Sequence, residues 1–135
     1  MFPPPPAEDS LRPFLVSKVS PNEFLIDEAS LTVGEDGVVR YVLVVRAAGG
    51  AKNVTFEGIR CEAGAWQLYA SGRSDGQWAA ARDPRWQPIT SAVYNGARAA
   101  LATEFFCDAA TAPRNRDEVL RRLRGLQRAE HYHGH

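Results

Sequence analysis

The chain has 135 residues, zero formal net charge and 24% charged residues. That size and balance fit one globular domain with its own core and supply no global attraction to nucleic acid or to an anionic membrane. No run of about 18 apolar residues exists, so no helix is predicted to span a bilayer.

Residues 1–10 open with four consecutive prolines, Pro3 to Pro6. They are expected to form an extended, disordered tether without a fold of its own. Read as a ligand for a proline-binding module, the stretch lacks flanking specificity residues. No charged segment followed by an apolar one is present, so no secretion signal is read. The residues then fit either a cytosolic protein or a mature exported one.

Residues 11–128 are expected to form a single α+β domain. Its predicted architecture is an antiparallel β-meander of four to five strands packed against one or two C-terminal helices. "FLID" and "SLTV" are short apolar runs, and Asp36-Gly37 is a hairpin signal. "VVRYVLVVR" from Val38 is the clearest strand: Val39, Tyr41, Leu43 and Val45 make one apolar face, and Val38, Arg40, Val42, Val44 and Arg46 make a mixed one. Gly49-Gly50 turns the chain. "VTFEGIRC" alternates, and Gly58 in mid-run reads as a bulge that returns Ile59 and Cys61 to a buried face. "WQLYASG" follows as the next strand, and Pro84 and Pro88 exclude a helix from the loop after it.

From Thr90 the period changes. Tyr94, Ala97, Leu101 and Phe105 follow helical spacing, capped by Thr90 or Ser91, and Cys107 falls at the helix end. A second helix, "RDEVLRRLRGLQRAE", carries the stripe Val119, Leu120, Leu123 and Leu126, with Asp117 and Glu118 in its first turn. Residues 129–135 are read as a flexible tail. Its His131, His133 and His135 could meet a divalent metal on one face of a strand, although a solvated tail is the preferred reading and no cofactor or metal is expected.

Cys61 and Cys107 are the only cysteines. Their spacing fits neither CxxC nor a zinc pattern. Three readings remain: a disulfide closing a long loop, buried free thiols, or a catalytic thiol that would need a histidine beside it. The acidic residues pair across no obvious site, and GxSxG, P-loop and GxGxxG are absent, so no catalytic residue is assigned.

Arg73, Trp78, Arg82, Arg85 and Trp86 are the residue types concentrated at interaction hot spots and form the predicted partner-binding surface. The competing reading is that the tryptophans cap a sheet face. With Tyr69 they could instead stack on sugar faces. Arg114, Arg116, Arg121, Arg122, Arg124 and Arg128 on the second helix could grip phosphates, yet the neutral chain and the missing groove-reading motif favour a solvated or docking face over nucleic acid.

The segment from Arg40 to Cys107, with "GIRC" at Gly58–Cys61, Tyr69, "WQPI" at Trp86–Ile89 and "FC" at Phe106–Cys107, resembles the cryptic neisserial protein-one-like family of bacterial envelope proteins. The resemblance implies a periplasmic protein, possessing a Cys61–Cys107 disulfide favoured by that oxidising compartment. It implies a mature N-terminus that tethers the domain, no catalytic residues, and a protein partner in the cell envelope, with members linked to type IV pilus assembly or stability. A missing signal and a long Arg-rich C-terminal extension depart from the family pattern.

Overall fold

β-branched residues fill Val38–Arg46, and in the computed structural model this run is a nine-residue strand at the middle of the sheet. The structure describes residues 2–16, 20–90 and 96–132, by backbone alone from residue 126 on. The strands are β1 (Leu11–Pro13), β2 (Glu23–Asp27), β3 (Thr32–Val33), β4 (Val38–Arg46), β5 (Lys52–Arg60), β6 (Ala65–Gly72), β7 (Trp78–Ala80) and β8 (Gln87–Pro88). All pair antiparallel in the order β1-β2-β4-β5-β6-β7, with β3 alongside β4 and β8 alongside β6. The four longer strands β2, β4, β5 and β6 are the meander read from the sequence. The other four, of two or three residues each, raise the strand count above the expected four to five.

The turns follow the predicted chemistry. Gly37 takes φ 78° between β3 and β4, its N–H donates to Gly34 O at 3.0 Å, and Asp36 Oδ1 accepts from Val38 N–H at 3.1 Å. Gly50 takes φ 97° in the β4–β5 hairpin. A left-handed backbone at these two positions is what glycine supplies without a Cβ penalty.

The bulge lies elsewhere than predicted. β5 is regular through Gly58, and the register steps on β6 instead: Phe56 faces Ala70 while Glu57 faces Leu68, leaving Tyr69 as the additional residue. The Tyr69 ring explains the glycine. A Cβ on Gly58 would stand 2.6 Å from Tyr69 Oη. Because β5 is unbroken, Thr55, Glu57 and Ile59 share the inner face with Tyr41 and Val39 of β4.

That inner face carries the main core. Over it lie α1 (Gly96–Ala100, continuing as a π-helix over Leu101–Phe106) and α2 (Arg116–Tyr132). Cys107 N–H reaches back five residues to Ala102 O at 3.1 Å, and this wider turn lets the adjacent Phe105 and Phe106 both turn inward, 6% and 0% exposed. Val119, Leu120 and Leu123 are buried as the stripe predicts, and Asn115 Oδ1 caps α2 by accepting from Glu118 N–H at 3.0 Å. Helical backbone continues to Tyr132, into residues assigned to the tail. Tyr94, the Ser91 cap, the Leu126 side chain and the three histidine side chains lie outside the described residues.

The outer face has a smaller core of Leu25, Val42 and Val44, flanked by Leu11, Val54, Phe56 and Trp78. The N-terminal segment lies on this face, which corrects the tether expected over residues 1–10. Phe2 packs edge-on against Phe56 and Trp78 at ring centroid distances of 6.1 and 6.4 Å, Trp78 Nε1–H donates to Pro3 O at 2.6 Å, and Glu8 pairs with Arg46 at 2.5 Å. The prolines cannot join a strand ladder, but the apolar outer face offers them a surface that local sequence does not reveal.

Candidate functional site

β5 and α1 meet at two points. At one, Cys61, just past β5, is disulfide-bonded to Cys107, just past the π-helix, with Cα atoms 5.6 Å apart. Of the three readings of the cysteines, the disulfide is therefore the one the structure contains. It closes a separation of 46 residues, which on the chain-entropy account contributes about 4 kcal/mol.

At the other point the Glu57 carboxylate is 0% exposed. Oε1 accepts from Tyr41 Oη–H at 2.7 Å and from Arg98 Nε–H at 3.1 Å. Oε2 accepts from Thr55 Oγ1–H at 2.8 Å and from Arg98 Nη2–H at 2.5 Å. Arg98 in turn lies over the Trp66 ring, 4.0 Å from its centroid. Burial, and next the Glu57 charge, push the Tyr41 hydroxyl well above its ordinary value, so it remains a donor. Four hydrogen bonds use the acceptor capacity of the carboxylate. The cluster holds a helix on a sheet and presents no proton-transfer group to solvent.

Neither Glu57 nor Arg98 was singled out from the sequence. The signal existed: Thr55, Glu57, Ile59 and Cys61 alternate strictly, and an acidic residue on such a face needs a cationic partner. The bulge assigned to Gly58 broke that alternation.

The predicted partner surface is divided. Arg73 and Trp78 flank the hairpin turn at the C-terminal end of β6, where Arg73 is exposed and Trp78 is partly covered by Phe2 and Pro3. Arg85 and Trp86 precede β8, which pairs with Ala65 and Trp66 at the opposite end of β6. At about 3.3 Å per residue the two groups are some 20 Å apart. Trp86 stacks under Arg60 at 4.6 Å, Arg85 pairs with Asp83, and Arg82 is exposed in the same loop. Tyr69 packs on Phe56 at 5.2 Å, with Arg40 over its ring. The three aromatics proposed for sugar stacking therefore do not make one platform.

Beside the disulfide lies a cavity of about 170 Å³, lined by residues including Ile59, Arg60, Ile89, Ala102 and Ala109. Arg60 Nε is buried without a hydrogen-bond acceptor, and Ala109 holds φ 53°, a conformation that costs a non-glycine residue about 1 kcal/mol. A second groove, of about 600 Å³, lies between the Asp108–Thr111 turn and the start of α2.

The arginines around the start of α2 are engaged within the molecule. Arg116 donates to Leu31 O at 2.9 Å and to Glu28 O. Arg122 donates to Phe106 O at 2.8 Å and pairs with Glu118 at 2.6 Å, and Arg114 pairs with Glu118 at 2.9 Å. Arg124 reaches Glu28 at 2.9 Å. The contacts of Arg116 and Arg124 with the Glu28–Leu31 stretch and of Arg122 with Phe106 O dock the helix, and Arg121 is an exposed cation among the described side chains of that face. Among the described residues no cluster of His, Cys, Asp and Glu could hold a metal, and no helix is long and apolar enough to cross a membrane.

Comparison with known proteins returns the CNP1-like family, whose profile matches residues 1–124. The chain is similar to cryptic neisserial protein 1 of Neisseria gonorrhoeae (strain ATCC 700825 / FA 1090), 26% identical over an alignment of 122 residues that covers 82% of this chain and 59% of that relative. The chain thus spans under two thirds of the relative's length. No solved structure matches it at a significant level.

Proposed function

Since the chain belongs to the CNP1-like family, we propose that it is a periplasmic, non-enzymatic accessory protein that holds a protein partner and assists type IV pilus assembly or stability. The observation that carries this reading is the Cys61–Cys107 disulfide, a bond that persists in oxidising compartments and is rare in reducing ones. The wiring of the domain supports it. Its two buried carboxylates are consumed by internal contacts, Glu57 in holding α1 to the sheet and Asp27 in accepting from Ser10, Ala29 and Ser30, and what remains for recognition is surface: the outer sheet face and the loop bearing Arg82, Arg85 and Trp86.

Two measurements test the reading. Intact mass of protein taken from its native compartment rises by about 2 Da on reduction if the thiols are paired there, and free alkylation of both cysteines in native protein contradicts export. Pull-down from envelope extract recovers pilus components if the partner is the pilus machinery. Normal piliation in a deletion strain, together with a pull-down free of such components, removes the pilus part and leaves the compartment standing.

A further inference from the structure

The N-terminal segment sits on the outer face in a recognisable binding mode. Pro3 and Pro6 are half-buried while Pro4 and Pro5 are exposed, a period of three, which is the repeat of a polyproline II helix. Ala7, next in the chain, has φ −83° and ψ 146°, close to the values of that helix. Trp78 Nε1–H donates to the Pro3 carbonyl at 2.6 Å. Phe2 lies edge-on to Phe56 and Trp78, and Tyr69 extends the aromatic floor beyond Phe56. An indole donor beside an aromatic trough is how protein surfaces read a preformed, low-entropy proline helix.

We propose that the outer face around Phe56, Tyr69 and Trp78 is a recognition site for a proline-rich segment of a protein partner, with an aromatic residue before the first proline and prolines spaced i, i+3. Residues 2–6 occupy the site in cis and act as its competitor. This rests on the reading of the chain as a protein binder and names the partner's chemistry. The cis segment is displaceable: Phe2 is 40% exposed and Glu8, which also holds the segment, pairs with Arg46 on a solvated surface. A tethered competitor acts at an effective concentration of order millimolar, so the free site binds a partner more tightly than the wild-type one by the reciprocal of the fraction of molecules whose site is open.

The probe is a fluorescently labelled peptide of residues 2–10, FPPPPAEDS, followed by anisotropy against the full-length chain and against full-length Phe2→Ser/Pro6→Gly. The double variant is expected to bind at least about tenfold more tightly than the wild-type chain. Trp78→Phe added to it, which removes the indole donor, should weaken binding at least about fivefold. A peptide with both Pro3 and Pro6 replaced by alanine should lose binding, and one with Pro4 and Pro5 replaced should keep it. No binding of trace labelled peptide to the folded double variant up to about 2 mM protein overturns the proposal, as does equal loss from the two substituted peptides. Should the double variant fail to fold, the wild-type chain decides it: unlabelled peptide at millimolar concentration must compete with the cis segment, and absence of any change in the Trp78 indole N–H resonance overturns the site. Pilus components captured equally by wild type and Trp78→Phe would sink this site while sparing the proposed function, and peptide binding without any envelope partner would do the reverse.

Discussion

Arg98 Nη2 lies 2.5 Å from Glu57 Oε2, and the same two side chains meet again through Nε and Oε1 at 3.1 Å. The fork-on-fork contact fixes the angle of α1 on the sheet as well as its distance. Removing one member strands the other in the core, and Glu57 is the deeper of the two, with 0% side-chain exposure against 17%. Arg98→Met is therefore expected to cost about 3 kcal/mol or more. The charge-free pair Glu57→Gln/Arg98→Met should recover a substantial part of that loss, because the amide oxygen still accepts from one of the two hydroxyls, Tyr41 or Thr55, while its NH2 donates to the oxygen of the other. A double-mutant cycle by urea unfolding of oxidised protein checks it. A coupling energy under about 0.5 kcal/mol would show the two residues to be independent.

The disulfide acts on the same helix and strand from their other ends. Cys61→Ser/Cys107→Ser should lower unfolding free energy by about 2 to 4 kcal/mol and should leave the helix docked, since Arg98 and the buried Phe106 still hold it. Near-UV circular dichroism of the reduced protein, unchanged below its unfolding transition, is the expected outcome. A reduced chain that loses tertiary signal at once would mean that the ion pair depends on the covalent link.

Acid and alkali attack different groups. For Glu28, burial raises its pKa and is outweighed by hydrogen bonds from Arg124 and Arg12, so the carboxyl sits below the ordinary 4.5. A depressed carboxyl contributes stability that is present above the unfolded value and is lost as pH falls through the folded one. Stability should decline below about pH 4.5, and Glu28→Gln should flatten part of that slope in urea titrations run over roughly pH 3 to 6. Tyr41 is the opposite case, raised by burial and by Glu57. Its raised hydroxyl makes no difference to stability at neutral pH and becomes destabilising above the ordinary value of 10.0, where the unfolded chain ionises first. Of the four tyrosines, one should resist ionisation at 295 nm until the protein unfolds.

Gly58→Ala places a methyl against Tyr69 Oη and Cε2, 2.6 and 2.9 Å from the new carbon. The Tyr69 ring is held by Phe56 and Arg40 and has little room to retreat. A loss of about 1 to 3 kcal/mol is expected. Gly49→Ala, where nothing lies within 4 Å of the added carbon, is the matched control and should change stability little. Thermal denaturation of the two variants side by side is sufficient.

Much of this fold could be read locally. β4 was legible because β-branched residues alternate over its whole length, and α2 because Val119, Leu120 and Leu123 repeat at helical spacing behind an acidic first turn. The family resemblance pointed correctly to the cysteine pair. What was not legible depends on distant partners. Glycine in a strand signals close approach but does not say whose backbone bends, so the bulge was placed on Gly58 when Tyr69 on the neighbouring strand carries it. That one step hid Glu57. Proline runs announce their conformation and not their docking site, so the contact of Phe2 and Pro3 with Trp78 had no sequence signature. The π-helical ending of α1 arises from satisfying Phe105, Phe106 and the disulfide together, which no single period encodes.

The sheet closes its sides with very short strands: β1 has three residues and ends on Pro13, and β7 has three. β3 and β8 fill the remaining length beside β4 and β6. Little unpaired main chain is left among the described residues for another polypeptide to extend as an extra strand. Assembly with other molecules must then be decided by side-chain chemistry on the broad surfaces, which is a selective route, and the same trimming protects a β-rich chain from stacking with its own copies when it is crowded.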